Sequence, residues 1–224
     1  MDVSRRYDYL NSRKKRNDSS MPKVVPEYRE DAKQRIIQAA MEAIAERGYA
    51  QTTIEDVAKK LGVSKGAVYW YFSSKEDLLQ EVFATILAEI QRVAYDGYNR
   101  PFEEVLTLIF ERYSLSDEKR RALFYEMFAL ASRNTPRVGH VVLEYVNGMV
   151  SLAEEGIKRG QQKGTITTET DARTLALLIV ALYSGIQDYA LTYMDHAEMR
   201  QLWLDAMRLL LKPPDMPGPA DKKV

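Results

Sequence analysis

The hydrophobic positions between residues 30 and 47 recur with the period of an amphipathic helix. Ile36, Ala40 and Ile44 follow one another at four-residue intervals, which places their side chains along one face of a helix and predicts that this face is buried. Gly48 comes directly afterwards, at the position where a helix end favours glycine. The first predicted element is therefore a helix that ends at Gly48.

A short second helix and a third helix follow with almost no chain between them. Thr52 and Thr53 each precede an acidic residue by three positions, a pattern typical of a helix N-terminal cap. Gly62 ends the second helix, and Ser64 is placed to cap the third after a turn of sequence GVS. Two helices joined by so tight a glycine-containing turn are typical of a helix-turn-helix unit. The apolar stripe of the second helix consists of Ile54, Val57, Ala58 and Leu61.

The third helix is expected to divide its side chains between a core and a surface. Val68 and Phe72 lie four positions apart, so they share one face, and we expect them to close a small core with Leu61 and Val63. The row of aromatic residues from 69 to 72 is thereby split, because a single helix face holds only part of it.

The other side of the third helix has the composition of a DNA-contacting surface. In helix-turn-helix proteins the second helix of the motif enters the major groove with its N-terminal residues toward the base edges. Lys65 is then expected to reach a guanine edge or a phosphate, with Gly66 allowing the backbone to approach closely. Tyr69 is expected to reach a base or a thymine methyl group and Tyr71 a phosphate oxygen, with Trp70 between surface and core.

A fourth helix is predicted after Ser73 or Ser74, either of which can cap it. Lys75 then lies in the first turn, where a positive charge is unfavourable unless an anion such as a phosphate lies nearby. Residues 1–80 carry 15 Lys and Arg against 12 Asp and Glu, whereas the whole chain carries 32 of each. Charge therefore indicates a local nucleic-acid surface and not a general affinity for polyanions.

Composition argues against several classes of function. The chain has no Cys, which removes disulfides and thiolate chemistry and favours a reducing, cytoplasmic location. His140 and His196 have no ligand-spaced neighbour, so no metal site is predicted. Neither a glycine-rich phosphate loop nor H-E-x-x-H occurs, so neither an enzyme nor a cofactor is predicted, although residues distant in sequence can also form a catalytic site. The longest apolar run, residues 175–183, is less than half of the roughly 20 residues that cross a bilayer.

Helical periods continue through the rest of the chain. One predicted helix follows Pro101 and reaches Tyr113, and a later helix, capped by Thr168 or Thr170, is apolar nearly all round and must be buried on most sides. Together with residues 197–211, that later helix is expected to form the four-helix bundle of a homodimer. The small residues that permit close approach there are Ala181, Ser184 and Gly185.

Aromatic, methionine and polar side chains of these helices are candidates for a ligand pocket. Each apolar one is equally explained as ordinary core packing. Polar groups such as Asn147, Gln187 and Asp188 need partners on helices this apolar, and either a small hydrophobic or aromatic ligand or a neighbouring helix can supply them. The candidate ligand-binding residues are Phe110, Tyr113, Phe124, Phe128, Tyr145, Asn147, Met149, Tyr183 and Gln187.

Residues 52–83, with the sequence TTIEDVAKKLGVSKGAVYWYFSSKEDLLQEVF, closely resemble the DNA-binding signature of the TetR/AcrR family of transcriptional regulators. The resemblance implies an all-α fold with an N-terminal helix-turn-helix DNA-binding domain and a larger helical ligand-binding and dimerisation domain. It also implies a set of DNA contacts. Those implied are Thr52 or Thr53 to phosphate, Ser64, Lys65 and Gly66 to base edges and backbone, and Tyr69, Trp70, Tyr71 and Lys75 mostly to phosphates.

These observations predict four segments and one principal function. The segments are a flexible arm (1–28), the helix-turn-helix domain (29–75), the ligand-binding and dimerisation domain (76–212) and a flexible tail (213–224). The predicted function is that of a repressor that binds a palindromic double-stranded DNA operator as a dimer and is released by a small-molecule effector. The alternatives are an activator, a ligand-independent regulator, or a helical small-molecule carrier or enzyme that has lost DNA binding.

Overall fold

Regular structure in the described part of the chain is helical throughout. The computed structural model describes residues 26–115, 118–133, 135–189 and 193–212. The helices are α1 (Pro26–Arg47), α2 (Ile54–Leu61), α3 (Lys65–Tyr69), α4 (Lys75–Asp96), α5 (Phe102–Phe110), α6 (Glu118–Ser132), α7 (Pro136–Gln162), α8 (Ala172–Tyr189) and α9 (His196–Leu211). The predicted all-α class is confirmed. The predicted tail and all but the last three residues of the predicted arm lie outside the described residues.

Local caps set the ends of the first helices as the sequence predicted. Thr53 accepts the main-chain N–H of Asp56 and begins α2, and Gly62 ends that helix in the left-handed region at φ +69°. Ser64 accepts the N–H of Ala67 and begins α3. Of the two serines proposed for the fourth helix, Ser74 is the cap, because its hydroxyl accepts the N–H of Asp77.

The small core beneath these helices differs from the prediction at one position. Val68 and Phe72 are buried as expected, and Leu61 packs partly buried against the same cluster. Val63, however, is 44% exposed, so its predicted burial was wrong. Its N–H bonds to the Ala58 carbonyl and completes the cap of α2, which leaves the side chain on the outside of the turn.

Helices α1, α4, α6 and α7 pack into one core that includes the underside of the helix-turn-helix unit. A second core lies among α5, α7, α8 and α9. At its centre the rings of Phe110 and Trp203 stack in parallel with centroids 4.6 Å apart. Helix α4 therefore runs from the helix-turn-helix unit into the packed helices that follow it.

Two predictions about the later helices need correction, and a third depends on a partner chain. Helix α5 ends at Phe110 and passes into a π-helical turn over Glu111–Leu115, so Tyr113 is not in the predicted α-helix. Helix α8 is capped by Asp171, whose carboxylate accepts the N–H of Thr174, and not by Thr168 or Thr170. Leu177 and Leu178 on α8 are 49% and 43% exposed in the single chain, so burial of this helix on most sides requires a partner chain and stays a prediction. None of the helices in the described segments has the length and hydropathy to cross a bilayer.

Candidate DNA-binding surface and ligand cavity

Helix α3 and the residue on either side of it present an exposed surface that contains most of the predicted DNA contacts. Ser64, Lys65 and Gly66 are exposed, and Tyr69 and Trp70 are 46% and 58% exposed. The Lys65 ammonium lies 5.7 Å from the centroid of the Tyr69 ring, within the range of a cation–π contact. A cation and a phenol therefore share one outward face.

Gly66 lies in open space on this surface. A Cβ atom at this position would have the Ser64 hydroxyl, 3.9 Å away, as its nearest neighbour. The fold itself therefore has room for a side chain. Glycine is consistent with close approach by a molecule from outside, as the sequence predicted for DNA.

Arg29 adds a cation beside this surface that the sequence analysis did not identify. Its guanidinium lies 4.4 Å from the centroid of the Trp70 ring, and the Trp70 and Tyr71 rings form a T-shaped pair with centroids 4.8 Å apart. Tyr71 is half-buried, so it is less available than predicted. The contact of Arg29 depends on how α1 packs against the end of α3, which no local pattern reveals.

Thr52 and Thr53, offered as alternative phosphate contacts, have different environments. Thr52 is 3% exposed, and its hydroxyl lies 2.8 Å from the Gly48 carbonyl and 3.2 Å from that of Ala43. Its side chain is therefore a structural bridge between α1 and α2, and a phosphate contact for it is wrong. Thr53 is exposed and donates to Asp56 at 2.6 Å, which lowers the pKa of that carboxyl group. Of the two threonines, Thr53 alone remains a candidate phosphate contact.

Lys75 lies against the turn between α1 and α2. Its ammonium is 4.0 Å from the centroid of the Tyr49 ring and donates to the Ala50 carbonyl at 3.4 Å. Burial lowers the pKa of Lys75, while Glu76 and Glu126 act in the opposite direction. Lys75 thus positions the turn, and its phosphate contact stays a prediction.

Glu126 on α6 holds the same turn from the other side. Its carboxylate accepts the main-chain N–H of Tyr49 at 2.5 Å and that of Ala50 at 2.7 Å. Gly48 has φ +80°, and a Cβ there would lie 3.0 Å from the nearer carboxylate oxygen. Glycine at this helix end therefore allows both the left-handed backbone and the approach of Glu126. Local sequence patterns do not reveal this role of Glu126, because its partners are remote along the chain.

A cavity of about 170 Å³ lies between α6, α7 and α8. Five aromatic side chains and three aliphatic or thioether side chains form most of its wall, together with a few polar groups. The lining residues are Arg121, Phe124, Tyr125, Phe128, Tyr145, Val146, Met149, Val180, Tyr183, Ser184, Gln187 and Asp188. Among the predicted ligand-binding residues, the structure brings together Phe124, Phe128, Tyr145, Met149, Tyr183 and Gln187.

Three predicted ligand-binding residues lie elsewhere. Phe110 is fully buried against Trp203 in the second core, and Tyr113 is buried in the π-helical turn outside the cavity wall. Asn147 is exposed on α7. At about 100° per residue, it points away from both Tyr145 and Met149, which line the cavity. These three predictions are corrected accordingly.

The polar groups of the cavity carry both signs of charge. Arg121 is buried and donates to the Ser114 carbonyl, whereas Asp188 is exposed at the far end of α8. Burial and the Asp188 carboxylate raise the pKa of the Tyr125 phenol, which therefore stays neutral. Among the residues with described positions, no His, Cys, Asp and Glu side chains are grouped to hold a metal ion.

Comparison with known proteins agrees with this arrangement. Residues 36–82 match the family model described as bacterial regulatory proteins, tetR family. The fatty acid metabolism regulator protein of Bacillus subtilis (strain 168) is 30% identical over 134 residues, covering 57% of this chain and 69% of that protein. The uncharacterized HTH-type transcriptional regulator YhgD of the same organism is 31% identical over 160 residues, covering 70% and 82%.

A solved structure extends the likeness to the larger helical domain. The transcriptional regulator FadR from Bacillus subtilis, in complex with stearoyl-CoA, superposes with a TM-score of 0.66 at 25% identity and covers 80% of this chain and 97% of its own. An exposed recognition helix, a helical body and relatives matched over most of their length together assign the chain to the TetR family of bacterial transcriptional regulators.

Proposed function

We propose that the protein is a repressor that binds a palindromic DNA operator as a homodimer in the cytoplasm. A small-molecule effector bound between α6, α7 and α8 releases it. DNA is contacted by Thr53, Ser64, Lys65, Gly66 and Tyr69, with Trp70, Tyr71, Lys75 and Arg29 at the edge of the surface.

The observation that carries this proposal is a direct link between the cavity and the DNA-binding helices. Phe124, Tyr125 and Phe128 on α6 line the cavity, and Glu126 on the same helix holds the turn that leads into α2. A ligand that displaces α6 therefore moves or releases this turn. Helix α4 provides a second connection, because Lys75 at its start contacts the same turn.

Such coupling needs only a modest free energy. A difference of about 1 to 3 kcal/mol between the two conformations changes operator affinity roughly 5- to 150-fold. Two recognition helices on one operator must lie about 34 to 36 Å apart, or a multiple of that spacing. A change in the tilt of the DNA-binding helices therefore displaces both recognition helices from their half-sites at once.

The proposed homodimer uses an exposed apolar face of α8. Leu177 and Leu178 are neighbours in the chain, and Ala181 and Gly185 follow four and eight positions after Leu177 on the same side of the helix; the two leucines are exposed. A Cβ atom on Gly185 would have no neighbour within 4 Å. On α9, Leu202 and Leu209 add to the exposed apolar surface. Pairing α8 and α9 with their copies removes these side chains from water.

The domain boundaries are also part of the proposal. We assign residues 29–75 to DNA binding and 76–212 to effector binding and dimerisation. The boundary coincides with the start of α4, which begins at Lys75. This position lets one continuous helix transmit movement between the two parts.

Selection from a random pool of DNA duplexes tests the proposal. The purified protein is expected to enrich an inverted repeat, to bind it with nanomolar-scale affinity and to lose affinity steeply as salt rises, since phosphate contacts release counterions. Sedimentation of the complex gives the number of protein copies. Fusion of the operator to a reporter promoter then distinguishes a repressor from an activator.

The contrary outcomes are equally specific. A folded, dimeric protein that enriches no sequence supports a carrier without DNA binding. A reporter whose expression rises with the protein supports an activator.

A further inference from the structure

The cavity between α6, α7 and α8 has the volume of one substituted aromatic ring. Its volume is about 170 Å³, and an engineered apolar cavity of about 150 Å³ in another protein binds benzene. A long acyl chain, such as that of the stearoyl-CoA bound to the FadR structure, has several times as many carbons as benzene. The cavity as it stands therefore selects a compact ligand.

The walls favour a ring over a compact aliphatic ligand. Phe124 and Tyr145 line the cavity with ring centroids 5.0 Å apart. Phe83 packs behind both, edge-on, at 5.2 Å and 5.3 Å, which fixes the two wall rings in place. Aromatic rings prefer offset or edge-to-face neighbours at these separations. A ligand ring that enters this cluster continues the same packing.

Gln187 supplies a polar group that nothing in the described part of the chain satisfies. The residue is 6% exposed and lines the cavity. Its amide makes no hydrogen bond to another described residue, and it is not among the fully enclosed polar atoms without a partner, so it opens onto the cavity. An amide that opens onto a cavity takes its hydrogen bonds from water or from a bound ligand, because an unmade hydrogen bond retains the cost of removing the group from water. The Gln amide offers both a carbonyl acceptor and an N–H donor. A ligand with one donor and one acceptor side by side matches it.

The charges around the cavity favour an uncharged ligand. Arg121 and Asp188 line the cavity with opposite signs, so the lining as a whole carries no net charge. An ionised ligand head group would attract one of them and repel the other. The remaining polar groups are the neutral Gln187, Ser184 and the phenols.

We propose that the effector is a neutral, single-ring aromatic compound with a substituent that donates to and accepts from the Gln187 amide, as a primary carboxamide does. That this compound acts as an effector rests on the proposed function, whereas its binding to the cavity can be measured without DNA. Gln187 is then the residue that determines which substituent is accepted.

Three planar probes of matched shape test the head group by calorimetry on the full-length protein. Benzamide is neutral, benzoate is an anion and benzamidinium is a cation. We expect benzamide to bind at least about tenfold more tightly than either ion, since a site built around hydrogen bonds rejects ligands that leave a buried group unpaired. Equal binding of all three, preference for an ion, or no binding of benzamide overturns the proposal.

The Gln187→Met variant tests whether the Gln187 amide binds the substituent of the ligand. Methionine keeps the length of the side chain and removes both hydrogen-bonding groups, so benzamide affinity is expected to fall about tenfold while binding of toluene is unchanged or stronger. Gln91→Met, at an exposed position on α4, is the matched control and keeps wild-type affinity for both probes. Unchanged benzamide binding by Gln187→Met, with thermal unfolding like that of the wild type, contradicts the role of Gln187.

Operator release is measured separately with the same probes. Benzamide that binds but leaves the DNA complex intact supports the ligand class and counts against the proposed effector response. Failure of benzamide to bind, with an operator still recovered by selection, overturns the ligand class and leaves DNA binding in place.

Discussion

The Glu126 carboxylate accepts the main-chain N–H of Tyr49 at 2.5 Å across a separation of 77 positions in the chain. One oxygen of the carboxylate bonds to Tyr49 and the other to Ala50. Both bonds involve a charged acceptor, which makes them stronger than bonds between neutral groups. A single side chain of the cavity-lining helix thus fixes the turn that precedes the helix-turn-helix unit.

Replacing Glu126 by Gln is expected to weaken its hydrogen bonds to the turn while keeping the size of the side chain. The amide has one acceptor oxygen and turns an NH₂ group toward the second main-chain N–H. We expect a loss of about 1 to 3 kcal/mol in the free energy of unfolding, measured by urea denaturation, and a smaller effect of any effector on operator affinity. Glu169→Gln, at an exposed position, is the control. An unchanged effector response in Glu126→Gln would remove Glu126 from the coupling.

Lys65→Ala and Tyr69→Ala are each expected to weaken operator binding by about 1 to 3 kcal/mol if their side chains touch bases. Both side chains are exposed, so stability should change little. Fluorescence anisotropy with the selected operator measures the loss, and Lys158→Ala on α7 controls for removal of one exposed positive charge. Wild-type operator affinity in both variants would show that α3 is not the recognition helix.

Gly66→Ala separates folding from DNA binding at one position. The protein has room for the added methyl group, whose nearest neighbour is 3.9 Å away, and alanine restricts the unfolded chain. The melting temperature should stay the same or rise, in line with a gain of about 0.4 to 1 kcal/mol. Operator affinity should fall, because the methyl group would occupy the space that the DNA fills in the complex. Full affinity in this variant would refute the close approach at Gly66.

Leu178→Glu is expected to dissociate the proposed homodimer while each chain stays folded. The side chain is 43% exposed in the single chain, so a carboxylate there remains hydrated in a monomer and is costly only in an apolar interface. Sedimentation and circular dichroism measure association and folding, and Tyr95→Glu, exposed on α4, is the control. A Leu178→Glu protein that remains dimeric places the interface elsewhere.

Stability is expected to be constant near neutral pH and to fall in acid. Hydrogen bonds lower the pKa values of Asp56, Asp77 and Asp171, mainly through Thr53, Ser73 and Thr174. A depressed folded-state pKa contributes stability above the unfolded value of about 3.9, and that contribution is lost as pH falls through the folded value. Urea unfolding at a series of pH values measures this, and Asp56→Asn should flatten the acid limb. An acid limb of equal slope in the variant would contradict the role of Asp56.

The sequence alone determined the elements whose causes are local. Thr53, Gly62 and Ser64 set the ends of α2 and α3 through bonds to residues a few positions away, so capping rules located them. Apolar spacing likewise predicted that Val68 and Phe72 are buried, and the outward positions of Lys65 and Tyr69 followed from the same helical period.

The tertiary structure alone decided which side chains meet across the chain. Thr52 and Val63 have environments opposite to the predicted ones, because the packing of α1 on α2 and the path of one turn decide their exposure. The link from Glu126 to the turn after α1 and the unpaired amide of Gln187 arise only when helices remote in sequence come together. Helical periodicity fixes the face on which a residue lies, whereas its partner depends on how the helices pack.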